Sequence, residues 1–295
     1  MEHVLLQLIL DFLWAFSALA LISLSLGLIM GELKIVNIAQ GDMVMVGAYC
    51  MYAMRDMPFL AALGSTVVIG LCLGFILERF VLRWVYHQGF IATLLATWGI
   101  GLVLQQLVSV AFSISQKGVA MPVTTSVEVL GVTYPLYRLL AGAGMLTIVG
   151  LVILLVYKTN IGLRIRASID NVEMASVLGI APQHVFTLVF AIASAMALLA
   201  GALVAPTLSI TPTMGLSFIA PAFFSVLIAR EGSILGPIIG ASIVQLLLII
   251  LRWQFQVTIA DGILFALLVI IVTVWPRGIA WKFKKRGTSH GTQQT

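Results

Sequence analysis

The longest stretch without a charged side chain, Met174 to Ala229, extends over 56 residues, and it limits what the chain can fold into more than any motif does. Three further runs, Phe12 to Gly31, Met57 to Leu77 and Gly232 to Leu251, hold 20, 21 and 20 residues free of Asp, Glu, Lys and Arg. About 20 apolar residues cross a bilayer as a helix, so these runs are membrane-spanning segments. Backbone groups in hydrocarbon must bond within their own segment, and the runs lack the alternating polar and apolar period of a membrane barrel. Composition agrees: 61% of the 295 residues are hydrophobic and 9% charged, against about 25% charged in a soluble domain. The expectation is an all-α, polytopic helical membrane protein. A water-soluble domain is excluded.

Apolar segments fall at residues 8–30, 36–54, 58–78, 90–113, 138–157, 184–206, 214–229, 233–252 and 258–275. This predicts eight or nine transmembrane segments, two of them, 36–54 and 214–229, short or broken. Irregular backbone survives at membrane depth only where protein or water satisfies it, so broken segments tend to line a pathway. The two occupy comparable places in the two halves of the chain, which suggests an internal repeat. Residues 1–287 read as one transmembrane domain and 288–295 as a disordered cytoplasmic tail.

The net charge is +5, and the basic residues lie in short clusters between apolar runs. Arg79 and Arg83 form one cluster, Lys158, Arg164 and Arg166 a second, and Lys282, Lys284, Lys285 and Arg286 a third, whereas the connection from Ser115 to Tyr137 holds only Lys117 and Glu128. The first three are expected in the cytoplasm and the last outside. Nine crossings then put the N-terminus outside and the C-terminus inside. The pattern is that of loops between membrane helices, with no nucleic-acid surface. No basic region or small-residue cleavage site opens the chain, so the first helix is expected to be retained.

Sites for chemistry are sparse. Cys50 and Cys72 lie in apolar segments without metal-ligand spacing, His3, His87, His184 and His290 are far apart, and no Gly-x-x-x-x-Gly-Lys-Ser/Thr loop occurs. No metal, catalytic group or bound cofactor is expected, and if ATP powers this protein another subunit binds it. Within the apolar segments, Asn37, Gln40 and Asp42 stand out, because an unpaired polar group in hydrocarbon costs several kcal/mol. They must face protein or a water-filled cavity. Asp42 then either meets an ammonium group of a solute, or these residues bond backbone at a cytoplasmic helix end. Gln105 reads as polar glue between helices. Arg230 and Glu231 read as a structural pair at a turn, Asp261 as a helix N-cap, and Gly232, Gly236, Gly240 and Ala241 as a packing stripe.

The loop from Lys158 to Gln183 is the longest polar interruption. Gly179 suits a helix stop and Pro182 follows it. A helix of about twelve residues, near 18 Å long, would place Val172, Ala175, Ser176 and Gly179 on one small apolar face with Asp170 and Glu173 beside it. Such a face either enters a groove on a cytosolic partner or belongs to a plain connector.

These residues carry a family resemblance. The Arg166-Ala167 pair, Asp170, Ala175 and the ending Leu178-Gly179-Ile180 resemble the ATPase-contacting loop of bacterial ABC-importer permeases of the branched-chain amino acid class, which includes relatives for urea and short amides. The run from Val36 through Asn37, Gln40, Gly41 and Asp42 to Tyr49 resembles that family's early motif, and Thr97-Trp98-Gly99 through Gln105 its Thr-x-Gly and Leu-Gln helix. Gly232-Ser233-Ile234-Leu235-Gly236-Pro237 and Pro276-Arg277-Gly278 match late in the chain. Gln40 stands where the family usually has His, Asp42 where it has Glu, and Ile228-Ala229-Arg230-Glu231 where Gly-Gly is common.

The resemblance implies a permease subunit, not an enzyme, in the bacterial inner membrane. Its implied partners are a second permease (identical or homologous), two cytosolic ATPases that use the ATP, a periplasmic solute-binding protein and membrane lipid. It implies a substrate pathway at Asn37, Gln40, Gly41, Asp42, Thr97 and Gln105, and ATPase coupling through Arg164, Arg166, Asp170, Glu173, Ala175 and Gly179. The implied solute is small and polar, a branched-chain amino acid first and urea or a short amide second. An ion-coupled secondary transporter would need ionisable groups at mid-membrane, for which the chain offers only Asp42 and Asp261.

Overall fold

The computed structural model describes residues 2–33, 35–228 and 234–274. Lys34, the Arg230-Glu231 pair, Gly232, the Pro276-Arg277-Gly278 motif and the 288–295 tail lie outside the described residues. Helix α1 (Glu2–Leu33) is followed by the non-helical residues 35–39 and the short α2 (Gln40–Ala53). Helix α3 (Phe59–Leu77) begins directly after Pro58 and runs on into a π turn, Glu78–Leu82, and the single turn α4 (Arg83–Val85). The Arg79 and Arg83 segment, expected as a loop, is thus a helical extension. After Gly89 comes α5 (Phe90–Phe112).

The connection expected outside the membrane contains the only strands among the described residues, β1 (Ser126–Val129) and β2 (Val132–Pro135), paired antiparallel. Leu130 and Gly131, at φ 49° and 84°, form the two-residue turn that right-handed strand twist favours. Helix α6 (Leu136–Lys158), the pair α7 (Asn160–Asp170) and α8 (Val172–Val177), and α9 (Pro182–Val204) follow. The described chain ends with α10 (Leu216–Ile228), α11 (Gly236–Gln254) and α12 (Val257–Val274).

Six of these helices are long and apolar enough to cross a membrane, and α10 is a shorter apolar helix. The molecule is a polytopic helical membrane protein. Its two ends are marked by contacts distant in sequence. At one end the hairpin docks on the start of α1, where the Tyr134 hydroxyl donates to Asp11 at 3.1 Å and Arg138 pairs with Asp11 at 3.4 Å. Burial, reinforced by the Asp11 charge, pushes the Tyr134 hydroxyl up to about 12, so it stays a donor at neutral pH. At the same end Lys117 and Ile210 exchange two backbone hydrogen bonds of 2.9 Å. At the other end Arg83 reaches the Gln183 carbonyl at 3.5 Å, and Ile169 of α7 lies against Gly31 of α1.

Helices α1 and α9 form the centre. Helices α2 and α3 pack on α9, and α10 and α11 pack on α1. The order long, short, long helix therefore occurs twice, in α1–α3 and α9–α11, and each half's third helix leans on the other half's first. Small residues permit this closeness, as expected where helices associate without a hydrophobic drive between them. At the crossing of α2 and α9, a Cβ on Gly47 would lie 1.9 Å from the Leu198 carbonyl oxygen, and one on Gly201 would lie 1.8 Å from that of Val44. The expected late stripe is also a contact: Gly240 packs on the Ser225 carbonyl of α10, and Ala241 is fully buried. Asp261 is not an N-cap, since α12 has already started at Val257. It pairs instead with Arg252 of α11 at 2.9 Å.

Candidate functional site

The polar residues singled out in the early apolar segment converge. Asn37 and Gln40 are fully buried and Asp42 is 4% exposed. The Asn37 amide donates to Gln40 Oε1 at 3.0 Å, and Gln40 Nε2 donates to Ser25 Oγ of α1 at 2.9 Å and to the Ala193 carbonyl of α9 at 3.0 Å. Gln40 thus ties the start of α2 to both central helices. Asn37 Oδ1 is buried without a hydrogen-bond partner among the described residues.

Thr97 approaches from α5. Its hydroxyl donates to Leu94 at 3.0 Å and accepts from the Ile38 backbone amide at 3.4 Å, which anchors the non-helical stretch before α2. Two turns further along α5, Gln105 Nε2 donates to Asp42 Oδ1 at 2.8 Å. Gly101 lies between these two positions, and a Cβ there would come within 2.2 Å of Asp42 Oδ2. Helix α5 therefore offers Asp42 an amide donor and a notch without a side chain. Asp42 bonds a side chain of another helix, unlike the expected alternative of backbone bonds at a helix end, and Gln105 is the interhelical glue expected of it.

Gly41 completes the group from the opposite side. A Cβ on Gly41 would meet the Gly215 carbonyl oxygen at 2.4 Å, and one on Gly215 would meet that of Gly41 at the same distance. Gly215 immediately precedes α10, so the starts of the two short helices touch backbone to backbone. All six residues expected in the pathway, Asn37, Gln40, Gly41, Asp42, Thr97 and Gln105, belong to this one polar junction.

One participant, Ser25, was missed from the sequence, because it lies in a charge-free run where serine reads as a small packing residue. The fully buried Ser194 of α9 turns its hydroxyl to Gly74 of α3 and takes no part in the junction.

The second group lies at the far end of the bundle, on α7 and α8. One helix was expected there, but the chain breaks at Asn171, whose extended backbone (φ −159°, ψ 104°) and side chain cap α8 by accepting from the Met174 amide at 2.9 Å. An Asn side chain at an N-cap competes with helix continuation. Helix α8 ends as expected at Gly179, in the left-handed region at φ 83°, with Gly179 bonded to Ser176 and Ile180 to Ala175, both at 3.0 Å. This is the closed form of helix stop that favours glycine.

The expected apolar face divides: Ala175 is 2% exposed and turned toward the bundle and Val172 is half-buried, whereas Ser176 and Gly179 are exposed. The large apolar side chains on the outside are Met174, Val177 and Leu178, 58%, 81% and 72% exposed. Arg164, Asp170 and Glu173 are exposed beside that face. Arg166 differs from them, because its guanidinium lies 5.3 Å from the centre of the Tyr157 ring and holds α7 against the end of α6.

Comparison with known proteins bears on both groups. Residues 8–273 match the family described as the permease component of the branched-chain amino acid transport system. The high-affinity branched-chain amino acid transport system permease protein LivH of Salmonella typhimurium is 27% identical over 283 residues, covering 89% of this chain and 91% of the relative. LivH of Escherichia coli K12 is 27% identical with the same coverage, and the corresponding BraD of Pseudomonas aeruginosa is 23% identical over 281 residues. No solved structure matches. The family match takes in both the buried polar junction and the α7–α8 segment, and the chain belongs to the family of permease components of the branched-chain amino acid transport system.

Proposed function

We propose that this chain is a permease subunit of an ATP-driven importer in the bacterial inner membrane and that its solute is a branched-chain amino acid. The observation that carries this reading is the Asp42–Gln105 pair, a carboxylate enclosed at the start of a short helix and bonded to a neutral amide. Such a carboxylate can exchange its amide partner for the ammonium of a zwitterion when the helices part. Asn37, Gln40, Gly41 and Thr97 hold this short helix in position around it. The pathway is completed by a second permease, identical or homologous, and a periplasmic binding protein delivers the solute.

Two cytosolic ATPases bind and hydrolyse the ATP, and this chain binds no cofactor itself. They engage the exposed Met174, Val177 and Leu178 edge of α8, flanked by Arg164, Asp170 and Glu173, with Gly179 setting the helix end. The basic clusters at 79–83 and 158–166 support a cytoplasmic position for this end, an outside N-terminus and a cytoplasmic C-terminus.

The test is uptake of radiolabelled leucine into vesicles holding this chain with its partner permease and ATPases, and binding protein added outside. Uptake that needs ATP and the binding protein is the expected result. Uptake by this chain alone, driven by an ion gradient, would refute the proposal.

A further inference from the structure

The helical extension after α3 holds a feature that transport chemistry leaves unused. A π turn carries one extra residue per hydrogen-bonded ring, and such turns recur at functional sites. Here the turn Glu78–Leu82 sends Glu78 and Leu82 inward, at 1% and 0% exposure. Glu78 accepts a short hydrogen bond from the Thr187 hydroxyl of α9 and lies 3.9 Å from Arg83 Nε. One internal carboxylate therefore balances one cation. Arg79 is exposed and forms no ion pair among the described residues.

Arg79 and Arg83 border a cleft of about 440 Å³ between the end of α3 and the start of α9. His184 lines it from α9. Thr187, whose hydroxyl is engaged by Glu78, also lines it, and the remaining lining is apolar: Phe75 lies one turn before Arg79, and Leu188 and Ala191 lie one and two turns beyond His184. Both helices thus turn the same chemistry to the cleft, basic at the helix ends and apolar toward the middle of the bundle. His184 also lines a neighbouring cavity of about 620 Å³ that contains Arg164, so the basic rim continues. Trp84 and Phe80, 72% and 67% exposed, stand beside Arg83 and Arg79. An exposed tryptophan at the end of a membrane helix sits at head-group level. The cations are therefore at the depth where lipid phosphates lie.

The geometry points to a binding site for an anionic phospholipid, with the phosphate held by Arg79, Arg83 and His184 and one acyl chain lying along Phe75, Leu188 and Ala191. Basic pockets between helices at a cytoplasmic membrane surface suit such head groups. A free phosphate would use the cations but gain nothing from the apolar half of the cleft, and a protein surface would have to combine an acidic contact with an apolar one at the same depth.

Native mass spectrometry of the assembled transporter, released from a mixture of phosphatidylglycerol and phosphatidylcholine, tests this. Phosphatidylglycerol should be retained in preference. Arg79→Gln should lower its retention about fivefold, the value of one cation near an anionic head group, and Arg79→Lys should keep it. Leu188→Trp, which fills the apolar half without touching charge, should also lower retention, and a large excess of inorganic phosphate should not displace the lipid. Equal retention of the two lipids, or no change in Arg79→Gln, would overturn the assignment. So would displacement by inorganic phosphate, which identifies a plain anion site, or loss of a partner subunit in place of lipid from Arg79→Gln, which identifies a protein contact.

Discussion

Replacing Gly47 or Gly201 by Ala tests whether the crossing of α2 and α9 is as close as described. An added Cβ would stand 1.9 Å from the Leu198 oxygen or 1.8 Å from the Val44 oxygen, and real Cβ contacts do not fall below 3.0 Å. Both obstacles are backbone, so no rotamer change relieves them. The helices must separate, and going from 1.9 to 3.0 Å means a shift of roughly 1 Å, which forfeits a quarter to a half of the dispersion energy across the contact. Overpacking of this kind costs about 1 to 3 kcal/mol, and the upper part of that range is expected for each single variant. One separation relieves both clashes, so the double variant should cost about as much as one single variant, well below their sum. Unfolding by SDS of the permease in lipid nanodiscs, followed by tryptophan fluorescence, measures this. Gly64→Ala is the control, because nothing lies within 4 Å of its added Cβ, and it should be neutral or stabilising. Additive costs at Gly47 and Gly201, or costs no larger than at Gly64, would refute the close crossing.

Asp42→Asn keeps a hydrogen-bonding side chain opposite Gln105 but removes the charge, and leucine uptake should fall about tenfold or more, the value of a charged hydrogen bond, with unchanged expression. Uptake equal to wild type would remove Asp42 from the pathway. In the coupling segment, Val177→Glu with Leu178→Glu should abolish co-purification of the ATPases while membrane insertion persists, and Ala175→Ser should leave co-purification intact. The reverse pattern would restore the face expected from sequence. Tyr134 has its hydroxyl raised from 10.0 to about 12, so its folded form favours the protonated state. That stabilisation is complete below pH 10 and is lost as pH rises through about 12. Tyr134→Phe should therefore flatten the alkaline loss of stability between those values, seen in the pH dependence of heat unfolding.

The polar junction was legible in the sequence because polar residues in apolar runs must find partners. Asn37, Gln40, Asp42 and Gln105 were read for that reason, whereas Thr97 entered only through its place in the Thr-x-Gly motif. Their partners were less legible: a backbone carbonyl such as that of Ala193 has no residue-type signal, and Ser25 looks the same whether it bonds or merely packs. The helix stop at Gly179 could be read because glycine followed by proline has one conformational meaning there. The break at Asn171 could not be weighed, since Asn is tolerated inside helices as well as at caps, and one missed cap turned one expected helix into two. Glu78 was hidden by the π turn, because a change in helical register leaves no periodic trace, and its partner Thr187 is 109 residues away.

The meeting of Gly41 with Gly215 has a mechanical consequence. Side chains between helices act as springs, since they change rotamer and absorb small displacements, but here two main chains bear on each other with nothing between them. A push on the start of α10 is therefore delivered undamped to the start of α2 and to the carboxylate next to it. The junction works as a hard stop, and the starts of the two short helices cannot move toward each other.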